Sequence, residues 1–217
     1  MNVLELSEQE IVRRQSLQEL RNRGIDPYPA AEFPTNAVSE DIKNNFKDED
    51  EKQEVVSAGR MMSRRVMGKA SFLDLQDTTG RLQVYVRRDA IGEEDYADFK
   101  KLDIGDILGI EGTVFRTQKG EISVHTAHIR LLSKSLLPLP EKFHGLTDKE
   151  TRFRQRYVDL MVNPEVKRNF VIRSRFIKFM RSYLDSRNYI EVETPVLNTI
   201  AGGAAARPFV THHNTLD

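Results

Sequence analysis

The residues able to do chemistry in this chain are aromatic, amide and cationic. In the run Phe72–Gln76, Leu73 and Leu75 alternate with Phe72, Asp74 and Gln76; in Arg81–Arg87, Leu82, Val84 and Val86 alternate with Gln83 and Tyr85. A period of two puts the aliphatic set on one face of a strand and Phe72, Gln83 and Tyr85 on the other. Glu121, Ser123 and His125 take the same outward side further on, opposite Ile122 and Val124. Around them stand Arg60, Arg64, Arg65, Lys69, Arg81, Arg87 and Arg88, seven basic residues against two acidic ones between Arg60 and Arg88. An aromatic platform, an amide and a basic rim are what unpaired nucleic acid requires. A base stacked on Phe72 would contribute about 1–3 kcal/mol, and Gln83 can both donate to and accept from a base edge. The competing reading buries Phe72 and Tyr85 under a helix and leaves the arginines as solvated charge.

Other chemistries find little support. There is no cysteine, which excludes disulfides, thiolate metal sites and cysteine nucleophiles. His125 and His128 are three apart, which on a strand sends them to opposite faces. His212 and His213 lack carboxylate neighbours at ligand spacing. No Walker loop, Gly-x-Gly-x-x-Gly or His-Glu-x-x-His occurs. No catalytic residue and no metal ligand is therefore assigned. Gly202-Gly203-Ala204-Ala205-Ala206-Arg207-Pro208-Phe209 admits two readings, a backbone that a ligand approaches closely or a tight loop without one.

These residues need elements to position them. Ser7 and Glu10 form a capping box that opens a helix bearing Ile11, Leu17 and Leu20, with Gly24 as its C-cap signal. Glu40–Glu54 holds seven acidic and three basic residues and reads as a solvated linker or short helix. Strands follow over Val55–Met62, Phe72–Gln76 and Arg81–Arg87, the last two joined by the turn Asp77-Thr78-Thr79-Gly80. A short helix over Glu93–Lys101 precedes strands Ile107–Phe115 and Glu121–Leu132. Three strands, a helix and two strands fit a five-stranded oligonucleotide/oligosaccharide-binding (OB-fold) barrel; a plain five-stranded sheet with one helix is the alternative. Pro138 and Pro140 mark a hinge. Thr147 and Glu150 read as a capping box for a helix carrying Arg152, Arg154 and Arg156. Asn163-Pro164 opens a long helix to about Arg187 with an apolar stripe, and Tyr189–Glu193 alternates as a strand. The expected divisions are 1–52 (helix and linker), 53–135 (barrel), 136–163 (hinge and connector helix) and 164–217. The 217 residues carry 33 basic and 33 acidic side chains, so bulk charge attracts neither nucleic acid nor membrane. No signal peptide or run long enough to span a bilayer is present, and a cytoplasmic location without a membrane partner is expected.

With these residues in place, the chain resembles the N-terminal part of a bacterial class II lysine–tRNA ligase. Gly59-Arg60-Met61-Met62-Ser63-Arg64-Arg65 through Phe72, and Gly80–Val86, are similar to that family's anticodon-binding domain. Lys142–Leu146 with Arg152–Tyr157 resembles its connector, and Glu191-Val192-Glu193-Thr194-Pro195 resembles class II motif 1. Gly202–Phe209 followed by Thr211-His212-His213-Asn214 is similar to a block of the lysine enzymes. The resemblance implies an α+β chain, an OB-fold barrel followed by the incomplete start of a class II catalytic domain. It implies anticodon-binding roles for Arg64, Arg65, Phe72, Gln83 and Glu121, with Phe72 on the central base and Gln83 at its edge. It also implies a lysine-pocket border at Gly202, Gly203 and Ala204, and a homodimer interface at Pro195. The implied reaction joins lysine to tRNA(Lys) with ATP and Mg²⁺. Motifs 2 and 3, which carry the phosphate-binding arginines, are not found before Asp217. The expectation is thus a truncated ligase that binds the anticodon stem-loop and is inactive alone, a free-standing OB-fold module being the alternative.

Overall fold

The computed structural model describes residues 6–48, 52–140, 146–195, 209, 211, 212, 214 and 215. It divides into two units, Met1–His144 and Gly145–Asp217, each treated by itself.

Helix α1 spans Glu8–Asn22. Glu10 N–H donates to Ser7 Oγ at 3.4 Å and Ser7 N–H to Glu10 Oε2 at 2.9 Å, the reciprocal capping box expected. Gly24, at φ +75°, ends the helix; Gly24 N–H donates to Arg21 O and Ile25 N–H to Leu20 O. Its apolar stripe, Ile11, Leu17 and Leu20, is only partly buried. Arg13 is its buried residue and donates to the carbonyls of Ile104, Ser135 and Leu137.

Strands β1 (Glu54–Met67), β2 (Ala70–Gln76), β3 (Arg81–Arg87), β4 (Ile107–Arg116) and β5 (Ile122–Ser133) close a barrel in the order β1-β2-β3-β5-β4. Closure comes from a short parallel pairing of β3 with β5, Gln83 opposite Ser123 and Tyr85 opposite His125. The long β1 pairs with both β2 and β4 and carries a bulge between Met61 and Ser63. The period-two pattern holds: Leu73, Leu75, Leu82, Val84 and Val86 are at most 1% exposed. Gly112 is required where β4 meets β5, because a Cβ there would lie 2.2 Å from the His125 carbonyl oxygen. The helix expected over 93–101 is α4 (Glu93–Phe99); a further short helix, α3 (Arg88–Ile91), precedes it, the two separated at Gly92, φ +95°. Tyr96 of α4 enters the core and its hydroxyl bonds Ser71 Oγ and Gly68 O.

The acidic stretch contains α2 (Ser39–Asn45). It has no cap of its own; Asp77 in the β2–β3 turn supplies one, accepting from Ser39 N–H at 2.6 Å and Ser39 Oγ at 2.7 Å. Ile42 is fully buried in the barrel core. A barrel starting at residue 53 therefore leaves out part of its own core.

At one end of the barrel lies a cluster that the sequence does not announce. Lys134, its side chain wholly buried, places Nζ 2.5 Å from Asp103 and 3.0 Å from Asp106. Asp106, also fully buried, accepts from the N–H groups of Asp103 and Ser135.

In the second unit the connector departs from expectation twice. The N-cap is Asp148, which accepts from Thr151 N–H, rather than Thr147. The helix is broken at Gln155 into α5 (Lys149–Arg154) and α6 (Arg156–Val162). Buried Asp159 explains the arrangement: it accepts from Arg152, Arg156 and Asn163. Asn163 is thereby drawn back to Asp159 and makes no side-chain cap for α7 (Pro164–Asp185). Asn188, at φ +63°, follows the end of α7, where Tyr189 N–H reaches Leu184 O. Among the described residues Tyr189–Glu193 forms no strand, contrary to its alternation. A strand needs a ladder partner for its backbone groups, and none lies beside it among the described residues.

Candidate nucleic-acid interface

The outer face of β1, β2, β3 and β5 is built in two cross-strand rows. In the first, Arg65 lies opposite Phe72, Phe72 opposite Tyr85, and Tyr85 opposite His125. In the second, Ser63 lies opposite Asp74, Asp74 opposite Gln83, Gln83 opposite Ser123, and Ser123 opposite Phe115. The register follows from the aliphatic residues: with Leu73, Leu75, Val84 and Val124 inside, their neighbours must turn outward.

The rows bring four rings together. Phe72 and Tyr85 stack with centroids 4.7 Å apart and planes 27° from parallel. Tyr85 lies 5.6 Å from His125 and 6.0 Å from Phe115. Phe72 is half-buried and stacks on its ladder neighbour Tyr85, while helix α1 is anchored at Ile104, Ser135 and Leu137 through Arg13 and at Asp98 through its C-cap Arg23. Beside the rings, Ser123 Oγ donates to Gln83 Oε1 at 2.9 Å, and Ser63 Oγ donates to Asp74.

The basic rim is smaller than its composition. Arg64, opposite Leu73, does not join the outer face. It donates to the carbonyls of Phe99 and Leu102 at 2.9 and 2.7 Å, and burial pulls its pKa down. Arg60 likewise donates to Gly105 O. Arg87 pairs with Asp89 and Arg88 with Glu93. At the β1–β2 hairpin, Arg65 and Lys69 are exposed and form no ion pair among the described residues. The hairpin tip also exposes Val66 and Met67.

Glu121 precedes β5 and is exposed; Lys43 Nζ of α2 sits 2.9 Å from its Oε1. Asp77, which caps α2, is held below the usual carboxylate range. Burial pushes it up, but the Ser39 hydroxyl and N–H and the Gly80 and Thr79 N–H groups outweigh that. Sequence reasoning missed Lys43 because the acidic run around it reads as solvent-facing charge. Of the other expected site residues, Pro195 is exposed, and Gly202, Gly203 and Ala204 lie outside the described residues.

Comparison with known proteins follows the same division. Residues 55–132 match the family described as OB-fold nucleic acid binding domain, and residues 148–217 match tRNA synthetases class II (D, K and N). A lysine–tRNA ligase of Porphyromonas gingivalis is 56% identical over 100% of this chain and 40% of its own length. Those of Thermoanaerobacter sp. (54%) and Listeria monocytogenes (52%) cover 100% and 98% of the chain and 43% and 44% of their own lengths. The chain thus spans less than half the length of the curated relatives it matches.

Proposed function

We propose, for a chain that belongs to the class II lysine–tRNA ligase family, that its barrel binds the unpaired loop of the tRNA(Lys) anticodon stem-loop through Phe72, Gln83, Arg65 and Glu121. The Phe72–Tyr85 stack on the outer face carries this reading. Tyr85 stiffens the Phe72 ring, so a base laid on it loses little side-chain entropy from the protein. Gln83 offers N–H groups beside that base and Glu121 a carboxylate, a donor and an acceptor for a base edge. Arg65 supplies a cation for phosphate. Arg64 is withdrawn from the contact set, its guanidinium being held by Nη1 on the carbonyls of Phe99 and Leu102, away from the outer face.

For the whole protein we infer the ligation of L-lysine to tRNA(Lys), with ATP cleaved to AMP and diphosphate, in a cytoplasmic homodimer joined through motif 1 near Pro195. Gly202, Gly203 and Ala204 would border the lysine pocket. The names of the relatives support this. Among the described residues no group of three His, Asp or Glu side chains is placed to hold a metal ion.

The test is Phe72→Ala in the 217-residue chain, with an RNA stem-loop carrying the tRNA(Lys) anticodon loop as probe. Affinity should fall by about 5- to 150-fold, the equivalent of 1–3 kcal/mol. The melting curve should barely move, since Phe72 lies outside the core. An unchanged affinity would leave Phe72 as packing only.

A further inference from the structure

We infer that Ser123 is a positioning residue that fixes which end of the Gln83 carboxamide faces the bound base; the inference rests on the anticodon-binding reading above. A glutamine is by itself a poor discriminator. Its carboxamide turns over at small cost, showing either two N–H donors or one acceptor to the same point in space. A site that must tell one base edge from its inverse needs that rotation stopped.

Both flanks of Gln83 stop it in the same sense. On one side, Ser123, fully buried and directly opposite across the β3–β5 pairing, donates its hydroxyl to Gln83 Oε1 at 2.9 Å. The other acceptor in reach of that single proton, Glu121 O, is farther at 3.4 Å. On the other side, the residue opposite Gln83 is Asp74, whose carboxylate only accepts and which already takes the Ser63 hydroxyl. A carboxylate neighbour favours the amide end and disfavours the carbonyl end. The carbonyl end is thus turned towards Ser123, and the N–H end of Gln83 is the one left to face a base. A fixed donor at Gln83 is complementary to an edge that presents a carbonyl next to an N–H. Uracil has one at O4 and N3–H. Cytosine carries the inverse, an amino group next to a bare nitrogen.

The probes are two RNA stem-loops differing only in the central loop base, uridine or cytidine, titrated against the full 217-residue chain. The unaltered chain should favour uridine by about tenfold or more. Ser123→Ala should bring the ratio to within about threefold of unity, with affinity for the uridine loop down by less than about tenfold. Ser123→Thr, which keeps the hydroxyl, should restore the preference. Gln83→Glu, which cannot donate, should turn the preference towards cytidine, whose amino group can donate to it; this variant keeps the test open if Ser123→Ala folds poorly. If Ser123→Ala or Gln83→Glu keeps the uridine preference while Gln83→Ala abolishes it, the positioning role is overturned and the anticodon reading stands. If Phe72→Ala and Gln83→Ala leave binding of both loops unchanged, the anticodon reading itself fails.

Discussion

Replacing Lys134 by methionine removes one charge and little volume. Arg60 and Arg64 act on the remaining carboxylates through space, but both are hydrogen-bonded to backbone carbonyls and neither forms an ion pair with Asp106 among the described residues. Asp106 would stay fully buried, with only the N–H groups of Asp103 and Ser135 on its oxygens and a second carboxylate, Asp103, nearby. Removing one partner of a buried pair costs about 3–5 kcal/mol, because the other charge is left uncompensated. The location makes the loss global. Met61 N–H donates to Asp106 O and Gly105 N–H to Met61 O, while Arg13 of α1 binds Ile104 and Ser135 on the same loops. For a unit of this size a loss of 1 kcal/mol lowers the melting temperature by about 3 °C, so Lys134→Met should melt about 9–15 °C lower. Urea unfolding followed by circular dichroism should show a lower midpoint at unchanged slope. Adding Asp106→Asn should recover part of the loss, since the orphan charge disappears while one backbone donor loses its acceptor. A Lys134→Met variant within about 1 kcal/mol of the parent would refute the argument, and so would an Asp106→Asn addition that makes matters worse.

Three further outcomes follow from the site. Arg65→Ala should reduce the slope of log affinity against log salt by about 0.7, one phosphate contact on a single strand; Arg64→Ala should leave that slope alone and cost stability of about 1–3 kcal/mol, because two carbonyls lose a charged donor. Asp77 has a depressed folded pKa, so its contribution is present above the unfolded value, near 4, and is lost as pH falls through the folded value. Asp77→Asn should flatten the acid limb of a stability–pH curve, and an identical limb in both proteins would contradict the cap assigned to it. Lys43→Ala should weaken stem-loop binding by at most about fivefold, the scale of an exposed ion pair, with thermal stability preserved; a large drop in melting temperature would instead make Lys43 a structural residue.

The sequence made the barrel legible where one physical signal dominates. Leu73, Leu75, Leu82, Val84 and Val86 alternate because the pleat alternates, and Phe72, Gln83 and Tyr85 are thrown outward as a direct result. Closure was not legible in detail. That Gln83 meets Ser123 depends on a three-residue parallel pairing between strands about forty residues apart in sequence. Buried charge was the second blind spot. Arg13, Arg64, Lys134 and Asp159 look like surface residues, and each is held by carbonyls or by opposite charge that only the tertiary structure assembles. The alternation of Tyr189–Glu193 shows the reverse failure, a strand pattern with no ladder to join among the described residues.

Helix α2 has a consequence for any attempt to isolate the barrel. Asn36 exchanges hydrogen bonds with Val56, Ile42 fills the interior, and Arg116 binds Asp48 while its guanidinium lies over Phe46. The segment from Asn36 to Asp48 is therefore a stopper, not a leash. Were the backbone severed between Asp48 and Lys52, the two pieces should stay together and co-elute, whereas a polypeptide begun at Gln53 should be left with an unplugged hole the size of an isoleucine.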